Sequence, residues 1–198
     1  MSHLFAPLTL GPLQLSNRIV VAPMCQYSSV DGEANDWHVQ HWGTLSQSGA
    51  GLLITEATAV DPAGRISWAD LGLYDDATEA AFARALASVR RWSPMPVGVQ
   101  LAHAGRKAST LKPWESGGGA IPDGDPRGWE VIAPSAIPYN AASPLPRALD
   151  QAGIDGVVAA FAAAARRAAR LGLDLIEVHA AHGYLLHQFL SPLSNQRD

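Results

Sequence analysis

The sequence predicts an α/β fold built on a parallel sheet, and three observations lead to it. Apolar runs that do not alternate recur at Arg18 to Met24, Gly51 to Val60, Pro96 to His103 and Leu173 to Ile176. Strands of that kind are buried on both faces. Stretches of helical periodicity separate them, so the order reads β-α-β-α-β-α-β. Polar and reactive side chains then gather where strands end, Cys25 and Tyr27 after the first and His179, His182 and Tyr184 after the last. That edge carries ligands and chemistry in parallel α/β proteins. Sites after the first and fourth strands fit a ring, as in a (β/α)8 TIM barrel of which this chain covers about the first four β/α units.

The totals exclude several classes. The chain has 198 residues, 47% hydrophobic and 16% charged, an ordinary globular composition. Such a length suits one domain or part of a larger one. A net charge of −4 makes no electrostatic case for nucleic acid or an anionic membrane. The lone cysteine, Cys25, cannot form an intrachain disulfide, and a reduced, cytoplasmic setting follows as the simplest expectation. The opening residues, M-S-H-L-F-A-P-L-T-L, lack a basic stretch followed by an apolar core, so no signal peptide is expected. No run reaches the ~20 apolar residues that span a bilayer.

Taken in order, Arg18 to Met24 is a β-branched strand stopped by Pro23. The thiol of Cys25 suits a site and suits core filling equally well. Asp36 is placed to cap a helix over Trp37 to Gln47. His38 and His41 lie three apart on it and could face one metal, but no third ligand has zinc spacing, so packing or hydrogen bonding is expected. Pro62-Ala63-Gly64 breaks the second strand. Asp76-Ala77-Thr78-Glu79 resembles a capping box with Asp76 as cap. The helix it opens carries Phe82, Leu86 and Val89 and ends near Trp92, before Pro94.

Gln100 is an amide inside the apolar third strand; burial would demand partners, from a ligand or from neighbouring backbone. Residues 104–150 are rich in Gly and Pro, and structureless loops beyond ~12–15 residues are uncommon unless they cover a site. Trp114, Trp129 and Tyr139 argue that this one docks on the body. The next helix has an apolar stripe of Ile154, Val157, Val158, Phe161, Ala165, Ala168 and Leu171. Arg166, Arg167 and Arg170 are expected on its solvated face. No Gly-x-Gly-x-x-Gly follows the first strand, which counts against a dinucleotide-binding Rossmann domain.

The stretch E-V-H-A-A-H-G-Y-L-L-H-Q at Glu177 to Gln188 concentrates the chemistry. Two imidazoles can donate to one carbonyl or anionic oxygen, and a nearby phenol can give up a proton. A metal-dependent hydrolase using Glu177, His179 and His182 is an alternative, since Glu177 and His179 share a strand face. Against it, the ligand set is incomplete and no His-Glu-x-x-His signature occurs.

Five segments carry a family resemblance: S-N-R-I-V-V-A-P-M-C-Q-Y at Ser16 to Tyr27, Glu56 to Val60, Q-L-A-H-A-G-R-K-A at Gln100 to Ala108, A-P-S-A at Ala133 to Ala136, and Glu177 to Arg197. Together they resemble the Old Yellow Enzyme family of FMN-dependent ene-reductases, in the branch of the xenobiotic reductases and thermophilic-like enzymes. The resemblance implies that residues 1–198 are the N-terminal half of one FMN-binding barrel domain, with a loop insertion at 104–150. It implies FMN as cofactor, NADPH or NADH as hydride donor, and activated alkenes (unsaturated carbonyl or nitro compounds) as small-molecule substrates.

By the same resemblance, Ala22, Pro23, Met24 and Cys25 would hold the flavin ring, with Cys25 tuning its potential where the yeast-type enzymes have threonine. Ala59 and Gln100 would contact the isoalloxazine. His179 and His182 would hydrogen-bond the substrate oxygen, His179 also lying against the flavin. Tyr184 would protonate the α-carbon, and Tyr27 would line the pocket. In the family the S-N-x-R motif continues through an acidic residue to Tyr-Gly-Gly and four more strands, whereas this sequence stops at Asp198. The other half would supply an arginine near the flavin and the phosphate site. Activity is therefore expected of the complete barrel, as a homo-oligomer; the alternative is a non-catalytic half-barrel that binds flavin or a partner chain.

Overall fold

Residues 2–197 are described by a computed structural model. Two short strands, β1 (Leu8–Leu10) and β2 (Leu13–Leu15), form an antiparallel hairpin in the register Leu8↔Leu15. Its turn needs Gly11, whose φ of +55° is in the left-handed region. Leu15 buries its side chain with Leu52 and Ile54.

The main sheet has four parallel strands: β3 (Val20–Val21), β4 (Leu52–Ala59), β5 (Val97–Ala102) and, in the final place, β8 (Leu175–Val178). Between them run α1 (Asp36–Ser46), α2 (Asp76–Arg90) and α3 (Gln151–Arg170), while α4 (Leu185–Leu190) follows the last strand. Two small strands of the long loop, β6 (Ile132–Ala133) and β7 (Arg147–Ala148), pair in parallel. Every residue of β4 and β5 is buried, as unbroken apolar runs require. The core joins Leu53, Val97, Val99 and Leu101 of the sheet to Trp42, Phe82, Leu86 and Ala168 of the helices. Trp42 and Phe82 pack with ring centroids 4.8 Å apart. Each such side chain contributes about 1.5–3 kcal/mol by leaving water.

Burial on both faces does not extend to the outer strands. The ladder of β3 has two residues, not the seven of Arg18 to Met24, and Val20 is exposed. Along β8 burial alternates, with Ile176 and Val178 exposed. Each of these strands has one neighbour in the sheet, among the described residues, so only one edge is laddered.

Both helix caps lie one residue earlier than the sequence suggests. Asn35, in extended conformation, accepts from the Trp37 N–H at 3.0 Å, and its own N–H donates to His38 Nδ1 at 3.0 Å. Asp75, at φ −140°, accepts from the Thr78 N–H at 2.8 Å. A cap must be extended rather than helical, and Asp36 and Asp76 are already the first helical residues. Freed from capping, Asp76 accepts from Arg167 at 2.8 Å. Arg170 grips Glu79 through two hydrogen bonds of 2.9 and 2.7 Å, and Arg167 also reaches Glu79. These two arginines join α3 to α2; only Arg166 faces solvent freely. Val158, assigned to the apolar stripe, is exposed. Among the described residues no helix is long and apolar enough to cross a membrane.

Candidate active site

Two turns at the C-terminal end of the sheet hold most of the candidate residues. After β8, the His179 N–H extends the ladder to the Leu101 carbonyl at 2.9 Å. The chain then bends through His182 and Gly183, at φ +56° and +73°. It is tied down where Leu185 N–H donates to the His103 carbonyl at 2.9 Å. Gln188, buried in α4, donates to the carbonyls of Ala104 and Gly183 at 3.2 and 2.7 Å.

This turn brings His179, His182 and Tyr184 together. Ring centroids are 5.0 Å apart for the two histidines and 4.9 Å for His179 and Tyr184. His179 Nδ1 accepts from the Ala181 N–H at 3.2 Å, so a neutral ring carries its proton on Nε2. That nitrogen lies 3.1 Å from His182 Nδ1 and donates to it. The pair therefore presents one free donor, His182 Nε2–H. A ligand oxygen bound by both rings requires the mutual bond to open. Burial lowers the pKa of His179, and His182 and Lys107 push it the same way. The Tyr184 phenol is held above its ordinary range, first by burial and then by Cys25 and Tyr27. It keeps its proton at neutral pH.

The second turn follows β3. Ala22 and Met24 are exposed, and Cys25 is half-buried. Tyr27 sits at φ +52°, a conformation uncommon for a side chain this bulky. What holds it is Glu56. The β4–β5 register shifts between Thr55 and Ala57, leaving Glu56 as the extra residue of a bulge. Its Oε2 accepts from the Gln26 N–H at 2.8 Å, and its Oε1 lies 3.4 Å from His38 Nε2. Since His38 Nδ1 accepts the Asn35 N–H, Nε2 is the protonated nitrogen that faces this carboxylate. Nearby Asp70 is fully buried, and that burial raises its pKa to about 7 despite hydrogen bonds from Ser67 and Ile66. Loss of hydration also pushes the Cys25 thiol far up, with Asp70 and Glu56 adding to it, so no thiolate forms at neutral pH. Tyr27 is pushed up to about 12, mainly by burial.

Gln100 finds neither a backbone partner nor isolation: its amide donates to Glu177 Oε1 at 2.6 Å across β5 and β8. Among the described residues its own Oε1 accepts no hydrogen bond. Ala59 is buried, and its N–H and C=O already pair with Leu71 and Leu73 at 2.8 and 2.9 Å. It brings no free polar group to the site. His41 stacks on Trp37 at 6.4 Å while His38 serves the Asn35 cap and Glu56, so the two histidines do not converge. Among the described residues no group of three or more His, Cys, Asp or Glu could hold a metal.

Three contributors were missed from sequence. Lys107 lies inside a quoted motif; its Nζ donates to the His182 carbonyl at 2.9 Å and stands 4.9 Å from the Tyr184 ring centre. Glu56 could have been found by the reasoning applied to Gln100, as a polar residue in an apolar strand. Asp70 carried no signal of its own.

The model of the NADH:flavin oxidoreductase / NADH oxidase family matches residues 3–198. NADH:flavin oxidoreductase FG08077 of Gibberella zeae is 47% identical over 99% of this chain and 48% of its own length. Among solved structures, morphinone reductase in complex with tetrahydroNAD superposes with a TM-score of 0.83 at 32% identity, over 100% of this chain and 54% of that one. The Old Yellow Enzyme homologue from Zymomonas mobilis gives 0.80 at 26% identity, over 99% and 53%. The chain thus spans about half the length of the relatives it matches, and its parallel sheet with flanking helices corresponds to part of their (β/α) barrel. It belongs to the NADH:flavin oxidoreductase / NADH oxidase family, that of Old Yellow Enzyme.

Proposed function

We propose that this chain carries the flavin-facing and substrate-facing half of an FMN-dependent ene-reductase that reduces activated alkenes. The observation that carries the reading is the cluster of His179, His182 and Tyr184, within 6.4 Å of one another by ring centres at the C-terminal end of β8. The residues present fit a flavin. Exposed Ala22 and Met24 offer backbone and apolar surface, and Gln100 keeps an unused amide oxygen at the centre of the sheet. Ala59 would add apolar contact only. When bound, FMN supplies the hydride, drawn from NADPH or NADH.

His182 Nε2–H donates to the carbonyl or nitro oxygen of the substrate, joined by His179 once their mutual bond opens. Charge develops on that oxygen as the β-carbon is attacked, so preorganised donors lower the barrier. Tyr184 holds a proton to give to the α-carbon, and the ammonium of Lys107 beside its ring, 4.9 Å away, stabilises the phenolate left behind. Cys25, which stays uncharged at neutral pH, would contact the flavin, and Tyr27 would line the pocket. The remaining barrel strands would supply the phosphate site, and activity belongs to that complete barrel.

In the flavin-loaded enzyme, His179→Ala is expected to weaken binding of simple phenols about tenfold or more, read from the visible flavin spectrum. Tyr184→Phe is expected to slow alkene reduction by roughly 10²-fold or more while leaving flavin reduction by NADPH largely intact. Unchanged alkene turnover in both variants would end this assignment.

A further inference from the structure

Beside Tyr184, and adjoining the turn after β3, a cavity of about 250 Å³ opens beneath the long loop. Lys107 stands in the partition: its Nζ is 4.9 Å from the Tyr184 ring centre on one side and 4.9 Å from that of Tyr139, a wall residue, on the other. Tyr27 lines the cavity as well, so its mouth adjoins the candidate active site. Asn140 and Ser143 add hydrogen-bonding groups, Arg106 a second cation, and among the described residues no Asp or Glu lines it.

The compartment is built, not slack. Glu115 on its outer wall segment accepts from Trp68 Nε1 at 3.0 Å, and Lys112 lies 4.3 Å over the Trp68 ring. Arg127 stands 5.5 Å over the same ring, and Trp114 meets Tyr27 edge-on at 5.6 Å. Arg106 clamps the opposite wall through the carbonyls of Ile137 and Pro138. Among the described residues, neither lining cation is neutralised by a carboxylate. Lys107 is satisfied by one carbonyl and two aromatic faces, Arg106 by carbonyls alone, and its buried Nε has no partner. Uncompensated charge in a partly desolvated place favours an anionic occupant.

We propose that this cavity is a second compartment of the substrate site, one that takes the anionic group of a molecule whose other end lies at His182 and Tyr184. The inference rests on the function proposed above for those residues. Its ligand class is an activated alkene bearing a carboxylate on a short arm; a phosphate of the nicotinamide dinucleotide offers the same chemistry.

The test is calorimetric titration of the flavin-loaded enzyme with 3-(4-hydroxyphenyl)propionate and with 4-propylphenol, which lacks the charge. The propionate is expected to bind about tenfold tighter, with that preference shrinking as salt is raised. Lys107→Met and the cavity-filling Ser143→Trp are expected to abolish the preference, and Lys107→Arg to keep it. Weakened binding of a non-reducing NADPH analogue in the first two variants, with the propionate preference intact, would identify the anion as the dinucleotide's phosphate. No preference in the unsubstituted enzyme, together with unaltered dinucleotide binding in both variants, would overturn the site. Alkene turnover does not enter these readouts, so a failed ene-reductase assignment and a failed anion site are told apart.

Discussion

The two turns that frame the candidate site solve one problem by opposite means. Each places a non-glycine residue in the left-handed region, Tyr27 at φ +52° and His182 at φ +56°. The turn after β8 is held by its own neighbourhood of backbone: Leu101, His103 and Ala104 supply carbonyls, and Lys107 secures the His182 carbonyl. The turn after β3 is held from behind by a buried carboxylate, Glu56, which receives the Gln26 N–H and faces His38. One turn depends on several backbone carbonyls and donors spread along the chain; the other depends on one buried carboxylate. The difference teaches that the Cys25 and Tyr27 side of the site is the one whose geometry and electrostatics respond to a single buried residue.

That comparison can be broken most forcefully at Glu56. Glu56→Ala leaves the Gln26 N–H and His38 Nε2 without their carboxylate, and a loss of about 2 kcal/mol is expected in chemical denaturation. Glu56→Gln keeps an acceptor for Gln26 but removes the charge. Because Glu56 is one cause of the high Cys25 pKa, alkylation of Cys25 at pH 9 should then accelerate severalfold. Equal stability and equal alkylation rates in all three proteins would show that Glu56 does not hold this turn. On the other side, Gly183→Ala at φ +73° should cost about 1 kcal/mol from backbone strain alone, with Cys25 alkylation unmoved. A change in Cys25 reactivity there would mean that the two turns are coupled.

The last effect concerns pH. Burial raises Asp70 from 3.8 to about 7 in the folded protein, so the folded state holds a proton that the unfolded chain has released. Its contribution is fully present below pH 4 and is lost as pH rises through 7. Stability should therefore decline across that window, and Asp70→Asn should flatten the slope. A slope that survives the substitution would assign the titration to another group.

Much of the fold was legible in the sequence because it is written in local periods. Unbroken apolar runs marked β4 and β5, helical spacing marked α1 and α2 within a residue or two, and an apolar stripe marked the body of α3. The errors arose where a neighbour decides. Asp36 and Asp76 are as good in composition as Asn35 and Asp75, and only the backbone angle chose the caps. Arg167 and Arg170 look solvated until α2 brings Glu79 beside them. The histidines and Tyr184 stood out because they are close in sequence. Lys107 and Glu56 act on residues 75 and 30 positions away in the chain, beyond any local pattern.

By itself, then, the sequence determined the order of elements, the reactive residue types at the strand ends, and the family. Those follow from side-chain period and from short motifs. Tertiary structure alone decided that Glu56 is turned by a bulge toward Gln26, that His179 spends its donor on His182, and that Lys107 stands between Tyr184 and a cavity lined by a second cation, Arg106. Each of those depends on strand register and on loop packing between distant segments. Such contacts form only when the whole sheet is assembled, because register is a property of paired strands rather than of either strand alone.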